Sequence, residues 1–111
     1  MQIFYDNAKI RKDCTDYKRA KKKYGEKIAD KLFSAINFIE NAVSLETVIN
    51  HRPYHFHDLN GDREGQFAID IGSRKDGYRL IILFNETKDE VFNNSLNITD
   101  IIFKELGNHY E

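Results

Sequence analysis

A histidine and an arginine carry the most chemistry in this chain. Histidine, with an unperturbed pKa of about 6.5, is the side chain that most readily takes or gives a proton near neutrality, and His57 could serve so. Arg79 sits inside the apolar run Tyr78-Arg79-Leu80-Ile81-Ile82-Leu83-Phe84. A guanidinium there must reach water or a partner, because burying it unpaired is costly. Two outlets are open to it: an internal salt bridge with Asp70 or Asp62, or service as a planar, permanently charged clamp for a phosphate. An imidazole that moves a proton and a guanidinium that holds negative charge could together cleave a phosphodiester without a metal. His57 taken alone also fits an exposed place at the rim of a sheet. His55, two residues earlier, makes a His-x-His pair of the kind that binds zinc, but no Cys or carboxylate cluster completes a ligand set at familiar spacing. No metal and no cofactor are expected.

Weaker signals lie elsewhere. Asn108-His109-Tyr110 follows the last apolar segment. It is either a frayed tail or, since imidazole and phenol both transfer protons, the rest of an acid–base set. Asp62-Arg63-Glu64, between Gly61 and Gly65, reads as a charged turn and lacks the length and Lys-Ser/Thr of a phosphate-cradling loop. Lys18, Arg19, Lys21, Lys22 and Lys23 form either a solvated helix face or an electrostatic handle for RNA or an acidic partner. Cys14, the only cysteine, excludes an internal disulfide, fits a reducing compartment and reads as a buried thiol.

The elements that must position these residues are legible as patterns. Gln2 to Tyr5 reads as an opening strand, and Asp6 as the cap of a short helix through Lys12. Thr15 and Asp16 cap a second helix that Gly25 stops or bends. Ile28, Leu32, Ala35, Ile36, Ile39 and Val43 recur at three- and four-residue spacing and predict a helix from Glu26 to Ala42 with one apolar stripe. Ser44 can cap a last helical turn through Ile49. After Arg52-Pro53, Tyr54–Leu59 and Gln66–Ile71 alternate as strands around a glycine-punctuated turn. Tyr78–Phe84 is apolar on both faces apart from Arg79 and predicts a central strand. Residues 85–97 read as a polar loop, and Ile98–Leu106 as a final strand. This order predicts an α+β fold: an N-terminal strand and helices packed on a curved antiparallel sheet.

At 111 residues there is room for one core, so residues 1–111 are expected to form a single domain. The 32% charged and 41% hydrophobic content is that of a water-soluble domain, and no apolar run approaches the roughly 18 residues of a membrane span. The N-terminus lacks the apolar core of a signal peptide, so a cytoplasmic protein without membrane contact is expected. The net charge of −1 conceals a basic first third, +5 over residues 1–35, and an acidic remainder of −6. A uniformly basic nucleic-acid binder would not show that division.

The stretch His57-Asp58-Leu59-Asn60-Gly61-Asp62-Arg63-Glu64-Gly65-Gln66-Phe67-Ala68-Ile69, followed by Tyr78-Arg79-Leu80, resembles the HigB-type toxins of the RelE/ParE superfamily from type II toxin–antitoxin systems. Their middle segment reads H-x-L-K-G-D-R-x-G-x-[WY]-S-I and is followed by a [WY]-R-I strand. Many of them end in Asp-Tyr-His, which Asn108-His109-Tyr110 resembles with aromatic and imidazole exchanged. The likeness is specific over about residues 51–85. It implies a RelE-like fold and a toxin that cuts mRNA on the translating ribosome by metal-free attack of a 2′-hydroxyl, silenced by a helix-turn-helix, HigA-like antitoxin. By position it makes His57 an acid/base, Arg79 the stabiliser of the charged phosphorane, and His109 or Tyr110 the second proton-transfer group. Asn60, Arg63 and Asn108 would contact substrate. Asn60 stands where the family has lysine, and Asn108 where it has aspartate. The resemblance also leaves open a ParE-like gyrase inhibitor without catalysis, or a weakly active homologue acting mainly as an antitoxin-binding co-repressor.

Overall fold

The computed structural model describes residues 1–108, and the expectations for His109 and Tyr110 fall outside them. The fold is α+β, built on a five-stranded open sheet in the order β1-β5-β4-β3-β2. The strands are β1 (Gln2–Tyr5), β2 (His57–Asp58), β3 (Phe67–Ile71), β4 (Tyr78–Leu83) and β5 (Asp100–Asn108). Their pairings are antiparallel except β1 with β5, which run parallel, so the sheet is mixed rather than wholly antiparallel as expected. The parallel pair joins the first strand of the chain to the last, with four helices between β1 and β2. β4 is central, as the apolar run predicts.

Five helices precede or interrupt the sheet: α1 (Ala8–Thr15), α2 (Tyr17–Tyr24), α3 (Glu26–Asn41), α4 (Leu45–Asn50) and α5 (Lys88–Asn93). Asn7, not Asp6, caps α1, its side chain accepting from the Ile10 amide. Asp16 caps α2 through the Arg19 amide, and Gly25, at φ +90°, stops it. The α3 stripe is buried from Ile28 to Ile39. Val43 falls outside that stripe, 84% exposed, because the helix ends at Asn41 and the chain turns extended at Ala42.

One face of the sheet, carrying Phe67, Ile69, Ile71, Leu80, Ile82, Ile101 and Phe103, packs into the apolar core with residues from α1, α3, α4 and α5. Strand alternation gives the other face Ala68, Asp70, Arg79, Ile81 and His57. The helices therefore cover one side and leave the chemistry on the other.

Residues 85–97, expected to be a loop, hold α5 and a 3₁₀ turn, Ser95–Asn97. Thr87 and Glu90 form a capping box: the Thr87 side chain accepts from the Glu90 amide and the Glu90 carboxylate from the Thr87 amide. The Thr87 amide bond holds the Glu90 carboxyl below its ordinary pKa. Lys88 then reaches Asp58, 2.6 Å away, and ties α5 to β2. Thr87→Ala is expected to cost ~1 kcal/mol of stability in a denaturant titration with an unchanged m-value. An unaltered midpoint would show that the box contributes nothing.

Candidate active site

Three strands bring His57 and Arg79 together. His57 pairs with Ala68 across β2–β3, Ala68 pairs with Ile81 across β3–β4, and Arg79 stands two residues before Ile81. All four side chains share one face. Ala68, fully buried, is small enough to let the two long side chains close over it. Arg79 Nη1 lies 3.3 Å from His57 Nε2. The imidazole and the guanidinium expected to act together are therefore neighbours on one face of the sheet.

The geometry also assigns the tautomer of His57. Nδ1 lies 2.7 Å from the His55 carbonyl oxygen, which can only accept, so Nδ1 carries the proton. Nε2 then presents a lone pair toward Arg79, which can only donate. That is the form a general base needs. The carbonyl is aimed by His55 itself, whose backbone is left-handed at φ +45° where it ends the 3₁₀ turn Arg52–Tyr54. Histidine is among the residues that tolerate this conformation. The same turn shortens β2: the strand expected from Tyr54 to Leu59 is reduced to His57–Asp58.

His55 stacks on His57, ring centroids 4.6 Å apart and planes 27° apart. Arg74 Nη2 sits 2.8 Å from His55 Nδ1. Burial lowers the His55 pKa, and the Arg74 guanidinium and His57 add to that. The Asp70 carboxylate pulls the other way from 3.8 Å and is outweighed. The rings thus lie face to face with one nitrogen of His57 already committed to a carbonyl. Among the described residues no group of three His, Cys, Asp or Glu is gathered as metal ligands. Asp70, 4% exposed, is the register partner of Arg79 and lies 3.8 Å from Arg74 Nε.

The remaining expected residues are placed unevenly. Arg63 bonds Glu105 at 2.5 Å and Gln66 at 2.9 Å, and Glu105 pairs with Ile81 on the His57 face. Arg63 therefore belongs to this side of the sheet, already engaged by a carboxylate. Asn60 is exposed at the entry to the 3₁₀ turn Gly61–Arg63. Asn108 pairs with Tyr78, and alternation turns it to the opposite face from Arg79. Its amide lies against Gly77, at φ +75°, where an added Cβ would come within 2.7 Å of Asn108 Oδ1. The structure thus puts His57, Arg79 and Arg63 on one side of the sheet, only the first two in contact, and turns Asn108 to the other.

His55, Asp70 and Arg74 are the neighbours that sequence reasoning did not assign to the site. Ser73-x-x-Asp76 is a capping-box pattern, and it curls the chain so that Arg74 turns back over β3.

The basic run of α2 divides: Lys18, Lys21 and Lys22 are exposed on a solvated face, while Arg19 and Lys23 turn to a buried carboxylate. Arg19 Nε and Lys23 Nζ lie 2.9 Å and 3.0 Å from the carboxylate of Asp13, and the Tyr24 hydroxyl donates to it at 2.7 Å. Asp13 is 1% exposed. Cys14 beside it is buried, as expected, and burial pushes its thiol up to about 12, too high for a nucleophile at neutral pH.

Among the described residues no helix is long and apolar enough to cross a membrane. No protein-family model matches the chain, and no curated protein matches it either.

Proposed function

We propose that this protein is a ribosome-dependent mRNA endoribonuclease, the toxin of a type II toxin–antitoxin pair. The observation that carries the reading is the 3.3 Å approach of Arg79 Nη1 to His57 Nε2 on the sheet face free of helices. In the reaction, Nε2 of His57 takes the proton of a ribose 2′-hydroxyl. The 2′-oxygen bonds to the adjacent phosphorus, and the bond from phosphorus to the 5′-oxygen breaks. Arg79 pairs with the non-bridging oxygens, whose negative charge is greatest in the phosphorane. The leaving 5′-oxygen takes a proton from His109 or Tyr110, the groups to which the family resemblance gives that part. The products are a 2′,3′-cyclic phosphate and a free 5′-hydroxyl, and no electron is gained or lost. Partners on this reading are the translating ribosome with its mRNA, and a helix-turn-helix antitoxin that holds the site inactive.

The test is to add the purified protein to a translating extract and map transcript ends. Cuts leaving a 5′-hydroxyl downstream and a cyclic phosphate upstream are the expected result, and intact transcripts refute the reading. A second reading, an antitoxin-binding co-repressor of low activity, draws on the Arg63–Glu105 ion pair, which engages one cation of the site face. It predicts tighter operator binding by the antitoxin when this protein is present, together with intact transcripts.

A further inference from the structure

A groove of about 500 Å³ runs beside the candidate site, lined by Lys27, Lys31 and Ser34 of α3, by His51 and Tyr54, and by Asp70. Its size falls in the ~300–1,000 Å³ range of small-ligand sites. Asp70 belongs to both places: it lines the groove, and it is the register partner of Arg79. We infer that this groove binds the nucleotide next to the scissile phosphate of a single-stranded RNA. The inference rests on the nuclease reading for the identity of the neighbouring phosphate.

Three features of the lining point to a nucleotide. One wall is cationic. Lys31 is exposed and makes no ion pair among the described residues, while Lys27 is held 3.0 Å from Asp76. The second feature is aromatic. His51 and Tyr54 lie 4.4 Å apart between centroids, and Phe38 braces both at 4.7 and 5.4 Å. Both lining rings are half-buried, so their position is fixed while part of each surface stays open to the groove. Fixed rings beside lysines are the arrangement that holds unpaired bases and the backbone joining them. The third feature is the exposed Ser34 hydroxyl, which can hydrogen-bond a ribose hydroxyl or a base edge. The groove therefore suits a ligand with phosphate at one end and hydrogen-bonding groups at the other. Backbone at Gly72 and Ser73 closes the far side. Close approach there is already taken by Asp76, whose carboxylate would lie 2.7 Å from a Cβ at Gly72.

The experiment measures anisotropy of a fluorescently labelled single-stranded RNA oligonucleotide, using the full chain in a His57→Gln background so that the proposed chemistry is blocked. Lys31→Glu and Tyr54→Ala are each expected to weaken binding about tenfold, with Tyr54→Phe restoring it. Lys31→Glu is also expected to lower the slope of log affinity against log salt by ~0.7. Lys22→Glu, on the exposed side of α2, serves as the charge-matched control and should bind within about twofold of the parent. Circular dichroism confirms that each variant is folded, and Lys31 is exposed enough for its substitution to leave the fold intact. Equal binding by Lys31→Glu and the parent overturns the inference. So does inorganic polyphosphate displacing the RNA as well as unlabelled RNA does, because a groove that reads only charge is not a nucleotide site. Groove-dependent RNA binding with intact transcripts in the translating extract would refute the nuclease while supporting the groove. Cleavage that survives Lys31→Glu and Tyr54→Ala, with unchanged binding, would do the reverse.

Discussion

Arg79→Ala is expected to slow transcript cleavage ~10²–10³-fold, and His57→Gln ~10²–10⁴-fold, measured as single-turnover rates in a translating extract. The two losses have different origins. On the proposed mechanism Arg79 meets the phosphate where negative charge accumulates, so its removal would raise the barrier without taking away a proton carrier. Arg79→Lys keeps the charge but loses the planar fork, and it should recover only part of the rate. His57→Gln keeps hydrogen bonding but cannot accept a proton at neutral pH. The side chains touch, so the double variant should be little worse than the weaker single one. Both residues are partly exposed, and melting temperatures close to the parent's are expected. Undiminished cleavage in both single variants would remove this site from the chemistry.

Asp13→Ala is expected to destabilise the fold strongly although it removes no apolar surface. Its carboxylate is buried and takes bonds from Arg19, Tyr24 and Lys23, which join α1 to α2. Truncating it strands two cations, a loss of ~3–5 kcal/mol for a fully buried network. Arg19 and Lys23 are partly exposed and can turn to water, so about 3 kcal/mol is expected, or a fall of roughly 12–18 °C in melting temperature. Burial alone would raise the Asp13 pKa, but bonds from Arg19, Tyr24 and Lys23 outweigh it and lower it below the unfolded value. Its contribution is thus complete above the unfolded pKa of about 3.9 and disappears as pH falls through the lower folded value. The gap between parent and variant should be widest near pH 7 and narrow below pH ~4. Equal melting temperatures at pH 7 would show that the network is neutral.

The helical half of the chain was readable because apolar spacing and capping side chains act locally. Asp16, Gly25 and the Ile28–Ile39 stripe each do what their residue types dictate. The meeting of His57 and Arg79 was readable too, since hairpin-linked strands with fixed alternation leave few ways to arrange them. The parallel pairing of β1 was not, because a strand's own alternation does not encode the direction of its neighbour. β2 shrank because His55, at the end of the 3₁₀ turn Arg52–Tyr54, adopts a left-handed backbone that strand alternation does not announce. The 85–97 segment was missed although Thr87-x-x-Glu90 announces a helix start, since its polar composition outweighed the cap. Asp13 was missed because its three donors look, in the sequence, like a solvated basic face.

The pairing of β1 with β5 has a consequence for how the molecule comes into being. Gln2 finds its partner at Asp100, almost the whole chain later. Residues next to β1 can meet the end of α3 early, where the Met1 amino group bonds the Ile39, Glu40 and Ala42 carbonyls, but loop-closure entropy opposes the strand pairing itself until β5 is made. The antiparallel hairpin of β3 and β4 needs no such wait and can assemble as soon as it emerges. His57 and Arg79 can thus meet on a half-built sheet, while the pairing of β1 with β5 closes it last.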